Sequence, residues 1–136
     1  MTRSRITLTI DESIKTLIIR YIGTLDGDEV NESMISKLAN VPDAWVYDSI
    51  IDMRRYEGTI MSSEIEELSL RWNLLAQGRD AGGCIAIISD DPLVRARLST
   101  TRTFFPLRTL EVFDHFEDGC AWIKAKRGYV DRAMAI

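Results

Sequence analysis

The side chains that could do chemistry in this chain are few and scattered. There is one histidine, His115, where the last helical segment begins. Nucleophilic hydrolysis needs a base beside the nucleophile, and a lone histidine at a helix start reads as part of that start. No G-x-S-x-G elbow, G-x-G-x-x-G or P-loop occurs. The glycines from Gly78 to Gly83 precede an apolar run, the wrong side for cradling phosphate. Cys84 and Cys120 each sit in an apolar segment outside any CxxC and read as buried free thiols. With one histidine they supply no metal set, and Asp91 of the Asp90-Asp91 pair reads as a helix cap. Asp48 and Asp52 lie on or beside an apolar run. Asp52, at its carboxyl end, is the one carboxylate placed to act, and polar groups there usually bond nearby loops. The expectation is a domain that is not an enzyme and needs no metal or cofactor. Catalysis by a loop-borne carboxylate is the third-ranked reading.

Cations offer more. Thirteen of the seventeen Lys and Arg residues are Arg, which makes planar bidentate contacts that Lys cannot. Between Pro92 and Leu110 stand Arg95, Arg97, Arg102 and Arg108 with no acid. Arg54 and Arg55 follow the apolar run that ends at Met53. An anion site assembled from guanidinium groups and free helix amides would draw on Arg54, Arg55, Tyr56, Thr59, Ser89, Arg95 and Arg102. A solvated basic face offset by neighbouring acids explains the same residues. Phe104-Phe105 is apolar for a connection and either covers a pocket, forms a dimer patch or closes the core.

These residues depend on the elements that carry them. Ile6, Leu8 and Ile10 alternate with Thr7 and Thr9, a half-buried strand. Residues 16–22 are apolar on both faces and suit an interior strand, paired with the first as an antiparallel hairpin. Asp26 caps a helix with Glu29 three residues on and Val30, Met34 and Leu38 as its core stripe. That helix stops before Pro42. Residues 45–53 form a third strand, followed by a polar turn from Arg54 to Thr59. A helix over 63–77 follows, with Ser63 and Glu66 as a capping box and Ile65, Leu68, Trp72 and Leu75 facing the core. Residues 84–88 read as a central parallel strand. Pro92, capped by Asp91, opens a helix to Ser99 or Thr101. A fifth strand spans 109–113, and a last helix spans about 115–126 before a frayed tail from Gly128 to Ile136. The pattern is ββαβαβαβα, which predicts one α/β domain over residues 1–136, ordered over about 5–126. It carries a mixed five-stranded sheet and about four helices.

Three stretches resemble the SpoIIAA-like group of small bacterial STAS-type domains. Arg20-Tyr21-Ile22-Gly23-Thr24-Leu25-Asp26 is similar to their strand-Gly-x-Leu-Asp lead into the first helix. Ile50-Ile51-Asp52-Met53 with Ile60-Met61-Ser62-Ser63 is similar to their third strand and Ser-bearing helix start. Leu110-Glu111-Val112-Phe113 with Glu117-Asp118-Gly119-Cys120-Ala121-Trp122-Ile123 is similar to their closing strand and final helix. The resemblance implies a mixed sheet and a non-catalytic regulatory domain that binds a protein, an anion or a lipid-like ligand at the strand-to-helix loops. Anti-sigma antagonists of this fold carry Asp-Ser-Ser-Gly or Asp-Thr-Ser-Gly at that helix start, with the first hydroxyl phosphorylated. Ser62 is the positional match here, and the preceding acid and following Gly are absent.

The net charge of -4 gives no reason to expect nucleic acid. No apolar run approaches the roughly 20 residues that span a bilayer. Met1-Thr2-Arg3-Ser4-Arg5 has charge without a following hydrophobic stretch or cleavage site, so the expectation is no signal peptide and a cytoplasmic protein. Two functional readings stand. The first is regulatory recognition of a protein partner or small anion, with homodimerisation left open. The second is a carrier for a small acidic, lipid-like ligand near Arg54, Arg95, Phe104 and Phe105.

Overall fold

A computed structural model describes the backbone over residues 4–135 and side chains over 4–127. Five strands and five helices follow in order: β1 (Arg5–Asp11), β2 (Thr16–Gly23), α1 (Gly27–Ala39), β3 (Asp48–Tyr56), α2 (Ser62–Ala76), β4 (Cys84–Ile88), α3 (Pro92–Ala96), α4 (Leu98–Phe104), β5 (Thr109–Phe113) and α5 (Phe116–Ala135). The sheet order is β1-β2-β3-β4-β5. β1 pairs antiparallel to β2, and every later pair is parallel. This is the mixed five-stranded α/β sheet that the hairpin and the later alternation predict.

The register divides the side chains between two faces. Leu17, Ile19, Tyr21, Ile51, Ile85, Ile87, Leu110 and Val112 pack under α1, α2 and α4. Ile50, Cys84, Ala86 and Ile88 point the other way, against Phe116, Cys120 and Ile123 of α5. α5 lies close to β4 because Gly119 lets it: a Cβ there would sit 2.6 Å from the Ile88 side chain.

Several boundaries differ from the sequence reading, each for a physical reason. Trp45 belongs to a 3-10 turn, Ala44–Val46, and β3 starts at Asp48. β3 also runs on through Arg54, Arg55 and Tyr56, which their polarity marks as a turn. Main-chain pairing with β2 continues there, Ile22 opposite Arg55 and Gly23 opposite Tyr56, past an irregularity between Arg20 and Ile22. The α2 cap is not the Ser63–Glu66 box. Met61 is the N-cap, and the Glu64 carboxylate accepts from its backbone N–H at 2.7 Å. The single helix expected after Pro92 is two, broken at Arg97, whose φ of -92° and ψ of 3° leave the helical region. Asp91 and Pro92 cap and open α3 as expected. α5 continues past Gly128 to Ala135, where a frayed tail was expected. A single Gly weakens a helix by roughly 1 kcal/mol relative to Ala and does not end it. Ile136 lies outside the described residues.

Candidate functional site

The carboxyl ends of the parallel strands face the N-termini of the helices that follow them, the usual ligand edge of an open α/β sheet. β3 brings Asp52 and Arg54 there. Asp52 has a side chain only 6% exposed, and its Oδ1 and Oδ2 accept from Arg54 Nε at 2.9 Å and Nη2 at 2.8 Å. Arg20 Nε stands 3.5 Å from Oδ2. Both guanidinium groups lie over the Phe116 ring, 5.4 Å from its centroid. Burial pushes the Asp52 carboxyl up, but the Arg54 hydrogen bonds and the charges of Arg54 and Arg20 outweigh it and hold the group below the usual carboxylate range. A general base working near neutrality needs the opposite shift. Asp52 is built as an anchor for two arginines.

The other predicted anion ligands are dispersed. Arg95 is 54% exposed and pairs with Asp114 at 3.1 Å. Arg102 donates to the Leu110 carbonyl and to Glu111, covering part of the β5 edge. Ser89 is buried, and its hydroxyl accepts from the Asp91 N–H. The Tyr56 hydroxyl donates to the Leu25 carbonyl at 2.6 Å, and burial, with nearby Glu64, Asp26 and Glu29, pushes its pKa up. Thr59 is exposed in the loop before α2. Arg55 is exposed, and its guanidinium has no hydrogen bond or ion pair among the described residues. Ser62 is the half-buried first residue of α2. Glu64 lies beside it and crowds Gly27, where a Cβ would stand 1.9 Å from the carboxylate. The fold therefore gathers Arg54, Arg55, Tyr56, Thr59 and Ser89 at one edge. It sends Arg95 to an ion pair beyond β5 and Arg102 to the side of the sheet.

Two features escaped the sequence reading. The first is a buried hub at the amino end of the sheet. Arg108 pairs with Asp80 at 3.0 Å and donates to the carbonyls of Tyr47 and Trp45, while Trp72 Nε1 donates to Asp80 at 2.8 Å. Asp80 thus pins the connection from Gly78 to Gly83, which the glycines mark as flexible. The second is a cavity of about 210 Å³ between the sheet and the α1, α2 and α4 layer. Leu17, Ile19, Met34, Ile51 and Trp72 form much of its wall, and exposed Thr59, Asp90 and Leu93 stand at its rim. Phe105 lines it; Arg95 and Phe104 do not. Arg97, at the α3–α4 break, donates to the Ile60 carbonyl at 2.5 Å and ties the two sides together. Periodicity marks each of these wall residues as core and cannot show that the core is incompletely filled.

No family model matches the chain, and no curated protein matches it in sequence. Solved structures do match. An uncharacterised DUF3478-family protein with a SpoIIAA-like fold, from Shewanella loihica PV-4, aligns over 90% of this chain and 97% of its own. The TM-score is 0.61 at 19% identity. The chain has the SpoIIAA-like fold. The unphosphorylated anti-sigma factor antagonist SpoIIAA agrees, with a TM-score of 0.55 at 17% identity over 97% of this chain and all of that one. Within the SpoIIAA-like frame, the three stretches that resemble the family fall where expected. Gly23 to Asp26 leads from β2 into α1, Ser62 opens α2, and Phe116 to Ile123 lies on α5.

Among the described residues no group of His, Cys, Asp and Glu could hold a metal ion. No described helix is long and apolar enough to cross a membrane.

Proposed function

We propose that this SpoIIAA-like domain is a non-enzymatic regulatory module that recognises a protein partner through the carboxyl edge of its sheet. The observation that carries this is the surface at that edge. Met61 is 52% exposed at the N-cap of α2 and Leu93 is 40% exposed in α3. Exposed Thr59 and Arg55 stand at the same edge, and the Arg55 guanidinium has no partner among the described residues. Apolar side chains around one available guanidinium suit a protein surface bearing an acidic residue. A small anion fits less well, because Arg54, Arg95 and Arg102 already hold carboxylates. The likeness to a protein described as an anti-sigma factor antagonist points the same way. The lowered pKa of Asp52 supports the non-enzymatic reading.

The test is co-purification of the tagged chain from its own cells, with Met61→Asp and Leu93→Asp against Leu107→Asp as control. Asp is a favoured N-cap residue, so Met61→Asp retains α2. Leu107 is 63% exposed before β5, at the opposite end of the strands. A partner lost with the first two variants and kept with the third supports the reading. A partner kept by all three, or turnover of a substrate abolished by Asp52→Asn, contradicts it.

A further inference from the structure

The interior cavity carries an inference independent of recognition at the edge. Tyr21 lines it and is 3% exposed. The Tyr21 hydroxyl has no hydrogen-bond partner among the described residues. Yet among the described residues no fully enclosed side-chain oxygen or nitrogen lacks a partner, so this oxygen borders open space, and the cavity that Tyr21 lines supplies it. A buried hydroxyl without a partner is costly and calls for an explanation. Its ring is held edge-on against Tyr56 at 5.7 Å, and the Tyr56 hydroxyl already donates its hydrogen bond to the Leu25 carbonyl. Ser49 also lines the cavity, and its hydroxyl has no hydrogen-bond partner among the described residues.

The charges around the wall are committed elsewhere. Arg97 donates to Ile60, Arg54 to Asp52, and Arg108 to Asp80 and two carbonyls. Asp90 and Asp91 contribute negative charge at the rim. An acidic ligand would enter past two carboxylates, and the one cation of the lining without a carboxylate partner among the described residues, Arg97, is engaged in holding the Ile60 carbonyl. We propose that the cavity binds a small, neutral, mostly apolar molecule whose one acceptor oxygen takes the hydrogen bond of Tyr21. An apolar cavity of roughly 150 Å³ holds a benzene, so 210 Å³ suits a molecule of roughly eight to ten heavy atoms. An aromatic ketone or ester is of that class; a long acyl chain is not.

The test titrates the full chain, by protein NMR, with three probes of nearly equal size. Acetophenone is neutral with one acceptor, ethylbenzene lacks the acceptor, and benzoate is an anion. The expected order is acetophenone tightest, ethylbenzene weaker by about five- to tenfold, and benzoate without binding. Tyr21→Phe removes only the unpartnered hydroxyl and should make acetophenone and ethylbenzene equal. Ser49→Val fills space with an apolar side chain suited to a strand and should weaken both. Wild-type chain that binds acetophenone no better than ethylbenzene, binds benzoate as well as either, or binds none at millimolar concentration overturns the proposal. The wild-type comparison stands even where a variant folds poorly.

Discussion

Replacing Arg108 with Ala should cost this fold more than any other single charge removal among the described ion pairs. The side chains of Arg108 and Asp80 are 4% and 6% exposed. The guanidinium satisfies Asp80 together with the carbonyls of Tyr47 and Trp45, and lies 5.4 Å from the Trp72 ring. Its loss leaves a buried carboxylate held only by Trp72 and the Gly82 N–H, and two carbonyls without this donor. Removing one partner of a buried pair costs about 3–5 kcal/mol. A domain of this size has about 5–15 kcal/mol in total. Arg95→Ala, which removes a pair exposed on both sides, should cost about 0–1 kcal/mol. Urea unfolding separates the two. With a slope of about 2 kcal/mol/M, the Arg108→Ala midpoint should fall by roughly 1.5–2.5 M and the Arg95→Ala midpoint by less than about 0.5 M. An Asp80→Asn/Arg108→Ala double variant should lose less than the sum of the singles. Midpoints for Arg108→Ala and Arg95→Ala that coincide would refute the claim that the hub fastens the amino end of the sheet.

Three further outcomes follow from the geometry. Asp52 has a folded pKa lowered below its ordinary value of 3.8. Its stabilisation is complete above that value and lost as pH falls through the lowered one. Asp52→Asn should therefore flatten the acid limb of a stability–pH curve below about pH 4, and an unchanged limb would contradict the pairing. Gly27→Ala should gain little in the native chain, because the added methyl displaces the Glu64 carboxylate from the Met61 N–H. In a Glu64→Ala background the same change should stabilise by about 0.5–1 kcal/mol, read by thermal unfolding. Burial pushes the Tyr21 and Tyr56 hydroxyls up, so both should titrate late in an alkaline ultraviolet scan. Tyr21→Phe should remove one late-titrating group.

The fold was legible because its signals are local. Thr alternation in β1, the unbroken apolar run of β4 and the caps at Asp26 and Asp91 each mark an element within a few residues. The order of elements then leaves few topologies. The errors arose where distant residues decide. Arg54 and Arg55 look like a turn until β2 is laid beside them. The α2 cap depends on Glu64 reaching back past two serines. The arginines were legible as charges and their partners were not: nothing local shows that Asp52, Asp114 and Glu111 take three of them. Arg108 gave no signal beyond its charge, since its partners are 28 to 63 residues away. The cavity was illegible for the same reason, because a core stripe states which side chains face inward and not whether they meet.

The most direct measurement of the central claim is site-specific photocrosslinking in living cells. A photoreactive residue replaces Met61 in one strain and Lys15, at the far end of the sheet, in another. Recognition at the carboxyl edge predicts one discrete protein adduct from position 61, none from position 15, and loss of the adduct when Arg55→Glu is added. An adduct of equal yield from both positions, or one indifferent to Arg55→Glu, would contradict it.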